Sequence, residues 1–214
     1  LAVAYTLHPH PPFTLPKRDN YTAENSPRKE YYKALKYSDD TLKDFFTAAA
    51  REMWFKDTVF VLMADHAYEE TQGRDAFHIP LLVYAPGIVT PRVDNRIVSE
   101  LDVLPTLVDL LQISTFHASM GKSALAEGER VAYLDVEHAA GIVQHKDGFS
   151  QVALLGSDTL VGAYDLVNDA QWKTKLKDNL YTKEEIQQML DYVGVMGYAI
   201  RENKIAERTP KSLF

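Results

Sequence analysis

The spacing of apolar residues predicts alternating helices and strands over the first half of the chain. Apolar side chains recur every three or four positions from Tyr31 to Met53, the spacing of one face of an amphipathic helix. Thr58 to Ala64 is mainly apolar on both faces, which is typical of a central strand in a parallel sheet. The predicted elements are a strand over 1–7, a helix over 27–53, strands over 58–64 and 79–87, and a helix over 99–113. This alternation indicates an α/β fold with a mainly parallel sheet flanked by helices.

The pattern changes after residue 127. Short apolar segments separated by turn residues predict three further strands in a small antiparallel C-terminal subdomain, over 130–136, 149–156 and 159–167. A helix is predicted over 182–196, where Thr182 and Glu185 have the spacing of a capping box. One apolar stripe of that helix is formed by Ile186, Met189, Leu190 and Val193. We therefore divide the chain into domains 1–127 and 128–214.

Composition and charge exclude several classes of protein. The 214 residues are 46% hydrophobic, which is enough for a sizeable core. The net charge is −7 and the 23 basic residues are scattered, so nucleic-acid binding is not expected. The lack of cysteine excludes disulfides and thiolate metal sites. No apolar run approaches the roughly 18 residues of a membrane span, and the opening LAVAYTL, too short for a signal peptide, is interpreted as a strand inside a larger protein.

The strand 58–64 is followed directly by Asp65 and His66. Ligands of doubly wound sheets bind outside the carboxyl ends of the strands, which is where this pair is expected to lie. A carboxylate oxygen and an imidazole nitrogen suit a divalent ion such as zinc or manganese. The structural alternative is that Asp65 caps the next turn and His66 is an ordinary loop histidine. We predict that the two side chains point into the same space.

Three other positions are candidates for chemistry or for structure. The loop TLHPHPPF contains a histidine that prolines place after the first predicted strand; it could donate to a phosphate or sulfate oxygen, or the loop could be a rigid surface turn. His78 precedes the strand 79–87, and the alternative there is a hydrogen-bonded structural histidine. Asp102 is predicted to cap the helix that contains Pro105, which is a structural role.

Five motifs in order resemble one family. They are H-x-P-F, YSDDTLKDFF, VLMADH, HIPLLVYAPG and SELDVLPTLVDLLQI. The resemblance is to the sulfatase-like branch of the alkaline phosphatase superfamily, and within it to the lipoteichoic acid synthases and other phosphoglycerol transferases. It covers residues 1 to about 115. Beyond residue 128 there is only a general likeness to the small C-terminal subdomain of that family.

The resemblance implies an alkaline phosphatase-like fold and a divalent metal, commonly manganese, with zinc, calcium or magnesium as alternatives. Asp65 and His66 match the metal-ligating pair of the family, and His10, not His8, matches its substrate-binding histidine. His78 is the second substrate-binding candidate. The implied substrate is an anionic phosphate or sulfate ester of an envelope glycolipid or glycan. The implied location is the bacterial cell envelope, on the extracytoplasmic side of the inner membrane, with a possible membrane anchor upstream.

Two departures from the family pattern matter. Ala67 stands where the family usually has glycine after the Asp-His pair. No segment resembles the N-terminal half that carries the nucleophile and the first acidic metal ligand, so no catalytic nucleophile is assigned. The expected partner is that half of the same polypeptide, without which the chain should be inactive. Two alternatives remain open: a plain arylsulfatase or phosphodiesterase, and a non-catalytic, degenerate domain that binds an anionic ligand.

Overall fold

The computed structural model describes residues 1–16, 27–68, 71–136, 139–146, 148–156, 159–177 and 180–202. The chain forms two compact units. The first comprises Leu1–Leu62 and Leu82–Pro91, and the second comprises Met63–Leu81 and Arg92–Phe214. The predicted division at residue 127 rests on a change in sequence pattern and not on compactness, and it stays a prediction. None of the helices in the described ranges has the length and apolar character needed to cross a membrane.

The first unit is built around one long helix, α1 (Lys29–Ala49). The helix predicted over 27–53 is observed over 29–49, and Ser26, which the Ser26-Pro27 sequence suggests as its N-cap, lies outside the described residues. Strands β1 (Phe60–Met63) and β2 (Leu81–Tyr84) pair in a two-stranded sheet, where the apolar runs predicted strands. The rings of Phe46, Phe60 and Tyr84 make edge-to-face or tilted contacts with centroids 5.2 to 6.0 Å apart. Aromatic packing therefore joins α1 to both strands.

The strand predicted over 1–7 is wrong. These residues adopt no regular secondary structure, and Leu1, Val3, Tyr5 and Leu7 are all at least 77% exposed. A strand needs a neighbour that accepts and donates its backbone hydrogen bonds, and the described part of the chain provides none for this segment. The apolar side chains of this segment are therefore exposed to solvent and are not packed in a sheet.

The second unit contains a four-stranded antiparallel sheet in the order β3-β4-β5-β6. Its strands are β3 (Val131–Val136), β4 (Ala139–Lys146), β5 (Phe149–Leu155) and β6 (Leu160–Asp165). The predicted antiparallel strands are confirmed, but β4 was missed because its Ala-Ala-Gly start has a weak strand preference. The Asp147-Gly148 dipeptide between β4 and β5 is a hairpin signal that could have revealed it.

Two helices complete the second unit: α2 (Val103–Leu110) and α3 (Lys183–Arg201). The predicted capping box at the start of α3 is confirmed, because the Glu185 amide donates to the Thr182 hydroxyl and the Thr182 amide donates to the Glu185 carboxylate. The predicted apolar stripe of α3 packs on the sheet core that contains Ile142 and Leu155. Val143 and Val152 belong to a second core cluster, in which Trp172 takes part.

The mainly parallel sheet is not confirmed. The pairings within the four-stranded sheet are all antiparallel, and the two buried-looking strands of the first half form a separate sheet of only two strands. Each of these two strands has four residues, and most of their side chains are half-buried or exposed. A strand that is apolar on both faces is expected to be buried between other elements, but its sequence does not determine which strands pair with it or which helices pack on it.

Candidate functional site

Asp65 and His66 lie directly after β1 with their side chains close together. The Asp65 Oδ1 atom is 3.9 Å from His66 Nε2 and also accepts a hydrogen bond of 3.1 Å from the His66 backbone amide. Both side chains are more than 60% exposed. The prediction that the two groups face the same space is therefore confirmed, whereas their predicted place at the edge of a parallel sheet stays a prediction.

The His66 ring is held in an orientation that favours metal binding. Its Nδ1 atom is 2.7 Å from the carbonyl oxygen of Ala67, so Nδ1–H donates to that carbonyl and Nε2 keeps its lone pair. An oxygen and a nitrogen that share one metal at about 2.1 Å each can be separated by at most about 4.2 Å. The observed 3.9 Å falls within that limit. The pair thus fits as two ligands of one ion.

Two ligands do not make a complete site. Within the residues that the structure describes, no cluster of three or more histidine, aspartate or glutamate side chains could hold a metal ion. Glu100 interacts electrostatically with the pair: burial raises its pKa above the ordinary value, the charge of Asp65 raises that pKa further, and His66 lowers it. Sequence reasoning missed Glu100, since nothing local separates it from an ordinary acidic residue in a first helical turn.

The two histidines of the proline-rich loop have different surroundings. His8 is half-buried, and its ring packs edge-on against Tyr37 with centroids 5.3 Å apart. His10 is exposed, its Nδ1 atom lies 2.6 Å from the Pro11 carbonyl oxygen, and its own carbonyl accepts a hydrogen bond from the Phe13 amide. The Nε2 edge of His10 is therefore the part of the ring that an anion could contact. His10 belongs to the first compact unit and Asp65 to the second, so a shared site stays a prediction.

His78 is held by a short turn. Residues Gly73–Ala76 form a 3₁₀ turn, and the backbone amides of Phe77 and His78 both donate to the Arg74 carbonyl at 3.0 Å. The His78 side chain is exposed. Its position is thus fixed through its backbone while its ring is free to contact a ligand, and its role in substrate binding stays a prediction.

Asp102 has a structural role, but its carboxylate caps the short turn Glu100–Asp102 and makes no side-chain cap hydrogen bond to α2, the helix that it was predicted to cap. Its carboxylate accepts a hydrogen bond from the Ser99 amide in a capping box, and it also accepts from the Lys122 amide and from the Arg130 guanidinium. The Asp102 and Arg130 side chains are each only 5% exposed. The sequence predicted a structural role for Asp102 but not this buried ion pair, whose members are 28 residues apart in the chain.

A separate cavity of about 550 Å³ lies beside α2 in the second unit. It is open to solvent and is lined by side chains from the end of that helix and from the loop that follows, including Asp109 and His117. None of the residues predicted to bind metal or substrate lines it. The predicted site residues are therefore on the protein surface and not in this cavity.

Comparison with known proteins supports the resemblance seen in the motifs. The chicken (Gallus gallus) arylsulfatase K is 28% identical over an alignment of 107 residues, and the match covers 46% of this chain and 20% of that protein. The lipoteichoic acid synthase-like YvgJ of Bacillus subtilis (strain 168) is 24% identical over an alignment of 152 residues, and the match covers 60% of this chain and 25% of that protein. The chain thus spans a quarter or less of the length of these curated relatives.

A solved structure has a similar fold. It is that of BT4656 in complex with its substrate D-glucosamine-2-N,6-O-disulfate, with a TM-score of 0.57 and 14% identity over 78% of this chain and 41% of that one. At this identity the match supports the sulfatase-like α/β fold alone. The model of the Sulfatase family matches residues 1–113, which is more than half of the 214 residues. The chain belongs to the sulfatase family.

Proposed function

We propose that this chain is part of a metal-dependent enzyme that acts on phosphate or sulfate esters, either a phosphoglycerol transferase or a sulfatase-type hydrolase. The observation that carries the proposal is the geometry of Asp65 and His66 inside the segment matched by the Sulfatase family model. Enzymes of the sulfatase family generally use a divalent metal. We propose manganese because the family resemblance implies it, with zinc, calcium or magnesium as alternatives; one carboxylate oxygen and one imidazole nitrogen suit a divalent ion without selecting among these.

The residues of this chain would hold and orient the reacting group. Asp65 and His66 would hold the ion, which, when bound, lowers the pKa of a nucleophile and offsets negative charge on the transferring group. His10 and His78 would donate hydrogen bonds to the oxygens of a bound phosphate or sulfate ester. The nucleophile and the other metal ligands would come from a further half of the same polypeptide. The identity of the nucleophile would distinguish the two reactions, because a threonine favours phosphoryl transfer, whereas a modified cysteine or serine favours reaction with sulfate esters.

The exposed apolar residues support the presence of that further half. Leu1, Val3, Tyr5 and Leu7 expose large apolar side chains, as do Leu35 and several others on α1. Where such residues form a contiguous surface, that surface marks contact with another protein surface or segment. We propose that the nucleophile-bearing half covers it, that the substrates are envelope glycolipids or glycans, and that the enzyme works on the extracytoplasmic side of a bacterial inner membrane, with an anchor upstream.

The metal site can be tested on this chain without an activity assay. Substoichiometric Mn²⁺ is added, and the imidazole signals of His66 and His145 are compared by NMR, because paramagnetic Mn²⁺ broadens nearby signals even when it binds weakly. His145, exposed on β4, is the internal reference. His66 should broaden first, and Asp65→Asn should weaken the response at least about tenfold, the loss seen for changes even in outer-shell metal partners. Asp44→Asn, which removes an exposed carboxylate on α1, is the control.

Equal broadening of His66 and His145 would remove the basis of the metal proposal. The non-catalytic alternative is favoured by the lack of a third ligand within the described ranges. It is distinguished by titrating inorganic phosphate in the presence and absence of Mn²⁺. An enzyme site predicts that phosphate shifts the His78 signal more strongly when Mn²⁺ is bound. A shift of the same size in wild type and in Asp65→Asn would instead support an anion-binding domain that needs no metal.

A further inference from the structure

The turn that carries His78 is held by the loop after β6. The Arg74 amide donates to the Ala170 carbonyl at 2.8 Å. Gly73 approaches the same carbonyl so closely that an added Cβ would lie 2.2 Å from its oxygen, and its φ of +62° favours glycine as well. The Arg74 amide and the Gly73 backbone thus both lie against the Ala170 carbonyl of the loop.

A stacked pair of rings adds to this contact. Phe77 and Trp172 are nearly parallel, with an interplanar angle of 11° and centroids 5.8 Å apart. Trp172 also packs against the core cluster of the four-stranded sheet that contains Val152 and Tyr164. Phe77 immediately precedes His78, and both amides share the Arg74 carbonyl. A displacement of Phe77 therefore moves His78.

The loop itself is rigid enough to act as a support. Asp165 accepts hydrogen bonds from the amides of Val167 and Asn168 at 2.8 Å, and Asp169 accepts one from the Thr174 amide at 2.6 Å. These backbone donors lower the pKa of both carboxyls. Trp172 has a φ of +55°, a conformation that is uncommon for a bulky residue and that persists only where its surroundings impose it. The Trp172 ring is therefore presented at a fixed place and angle.

We propose that Trp172 is a positioning residue, which holds His78 in its ligand-binding position by stacking on Phe77. The functional part of the inference rests on the proposed role of His78 in binding the anionic ester. It adds that the C-terminal subdomain, outside the segment matched by the Sulfatase family model, supports the site. The indole Nε1–H of Trp172 is buried without a hydrogen-bond partner among the described residues, so it is the flat ring and not its donor that the contact uses.

The test compares Trp172→Leu, which keeps apolar bulk but loses the stack, with Trp172→Phe, which keeps an aromatic ring. Val167→Ala is the matched control, since Val167 is 63% exposed on the same loop. Two quantities are measured in the whole chain: the rate of trypsin cleavage after Arg74, and the affinity for inorganic phosphate followed at the His78 imidazole signal. Trp172→Leu should raise cleavage and weaken phosphate binding about tenfold each, as expected for local opening after loss of an aromatic contact. Trp172→Phe should restore both to within about twofold, and Val167→Ala should change neither.

Gly73→Ala disrupts the same contact on the side of the turn, because the added Cβ would clash with the Ala170 carbonyl. It tests the inference even if Trp172→Leu does not fold. It should raise cleavage after Arg74 and weaken phosphate binding in the same way. Wild-type cleavage in both variants would overturn the inference. So would faster cleavage with unchanged phosphate affinity, because Trp172 would then be merely structural. If phosphate does not shift the His78 signal of the wild-type chain, the proposed anion site is refuted, and the inference that rests on it is refuted as well.

Discussion

The buried ion pair of Asp102 and Arg130 gives the most quantitative prediction. The Arg130 guanidinium donates to the Asp102 carboxylate at 3.1 Å and to three backbone carbonyls at 2.7 to 2.8 Å, those of Ile97, Lys122 and Ser123. Replacing Arg130 with methionine keeps most of the side-chain bulk but leaves a buried carboxylate without its countercharge. Removal of one partner of a buried pair costs about 3–5 kcal/mol. We expect Arg130→Met to lose about 4 kcal/mol, a large share of a typical stability of about 5–15 kcal/mol.

The companion variant is Asp102→Asn, which keeps an oxygen for the Ser99 amide but removes the negative charge. The double variant should cost at least about 1 kcal/mol less than the sum of the two single changes, since the second change removes a charge that the first has left unpaired. The control is Arg92→Met, because Arg92 pairs with Asp94 at 3.4 Å while its own side chain is 61% exposed. An exposed pair of this kind contributes about 1 kcal/mol or less.

Urea unfolding followed by tryptophan fluorescence measures these changes. Trp54 belongs to the first compact unit and Trp172 to the second, so the series is made in a Trp54→Phe background in which Trp172 alone reports. The midpoint should shift while the denaturant slope stays constant. If Arg130→Met lies within about 1 kcal/mol of its parent, like the Arg92 control, the reasoning about uncompensated buried charge is refuted for this protein.

Three further predictions concern the second unit. Tyr192→Phe removes a buried hydroxyl that has no hydrogen-bond partner in the part of the chain that the structure describes, so urea unfolding should detect no loss of stability or a gain of up to about 1 kcal/mol, and a clear loss would contradict this. Gly121→Ala should lower the melting temperature strongly, since its Cβ would lie 2.0 Å from the Leu101 carbonyl oxygen, and tolerance of alanine would show that the loop can move. Lys146 and the capping-box amide lower the pKa of Glu185, so its stabilisation is present above the unfolded value near 4.5 and is lost as the pH falls through the lower folded value. Glu185→Gln should therefore destabilise the chain at neutral pH but not in strong acid, and an equal loss at both pH values would exclude the charge as the cause.

Features that depend on neighbouring residues could be read from the sequence. Helical spacing predicted α1 and α3, and the Thr182 to Glu185 spacing predicted the capping box that begins α3. The adjacency of Asp65 and His66 after an apolar strand was enough to predict that they face one space. Such features are decided within a few residues, because helix periodicity, capping and turn geometry are local properties of the backbone.

Features that depend on distant partners were decided only by the tertiary structure. The apolar start of the chain predicted a strand, yet no strand in the described residues pairs with it, and its side chains are exposed. Arg130 and Trp172 carry no local signal, since one acquires its role from a carboxylate 28 residues away and the other from Phe77 in a different loop. The sequence by itself determined the family motifs and most of the elements. Only the folded chain decided which strands pair, which charges become buried, and which loop supports His78, because each of these needs residues that are far apart in the chain to meet in space.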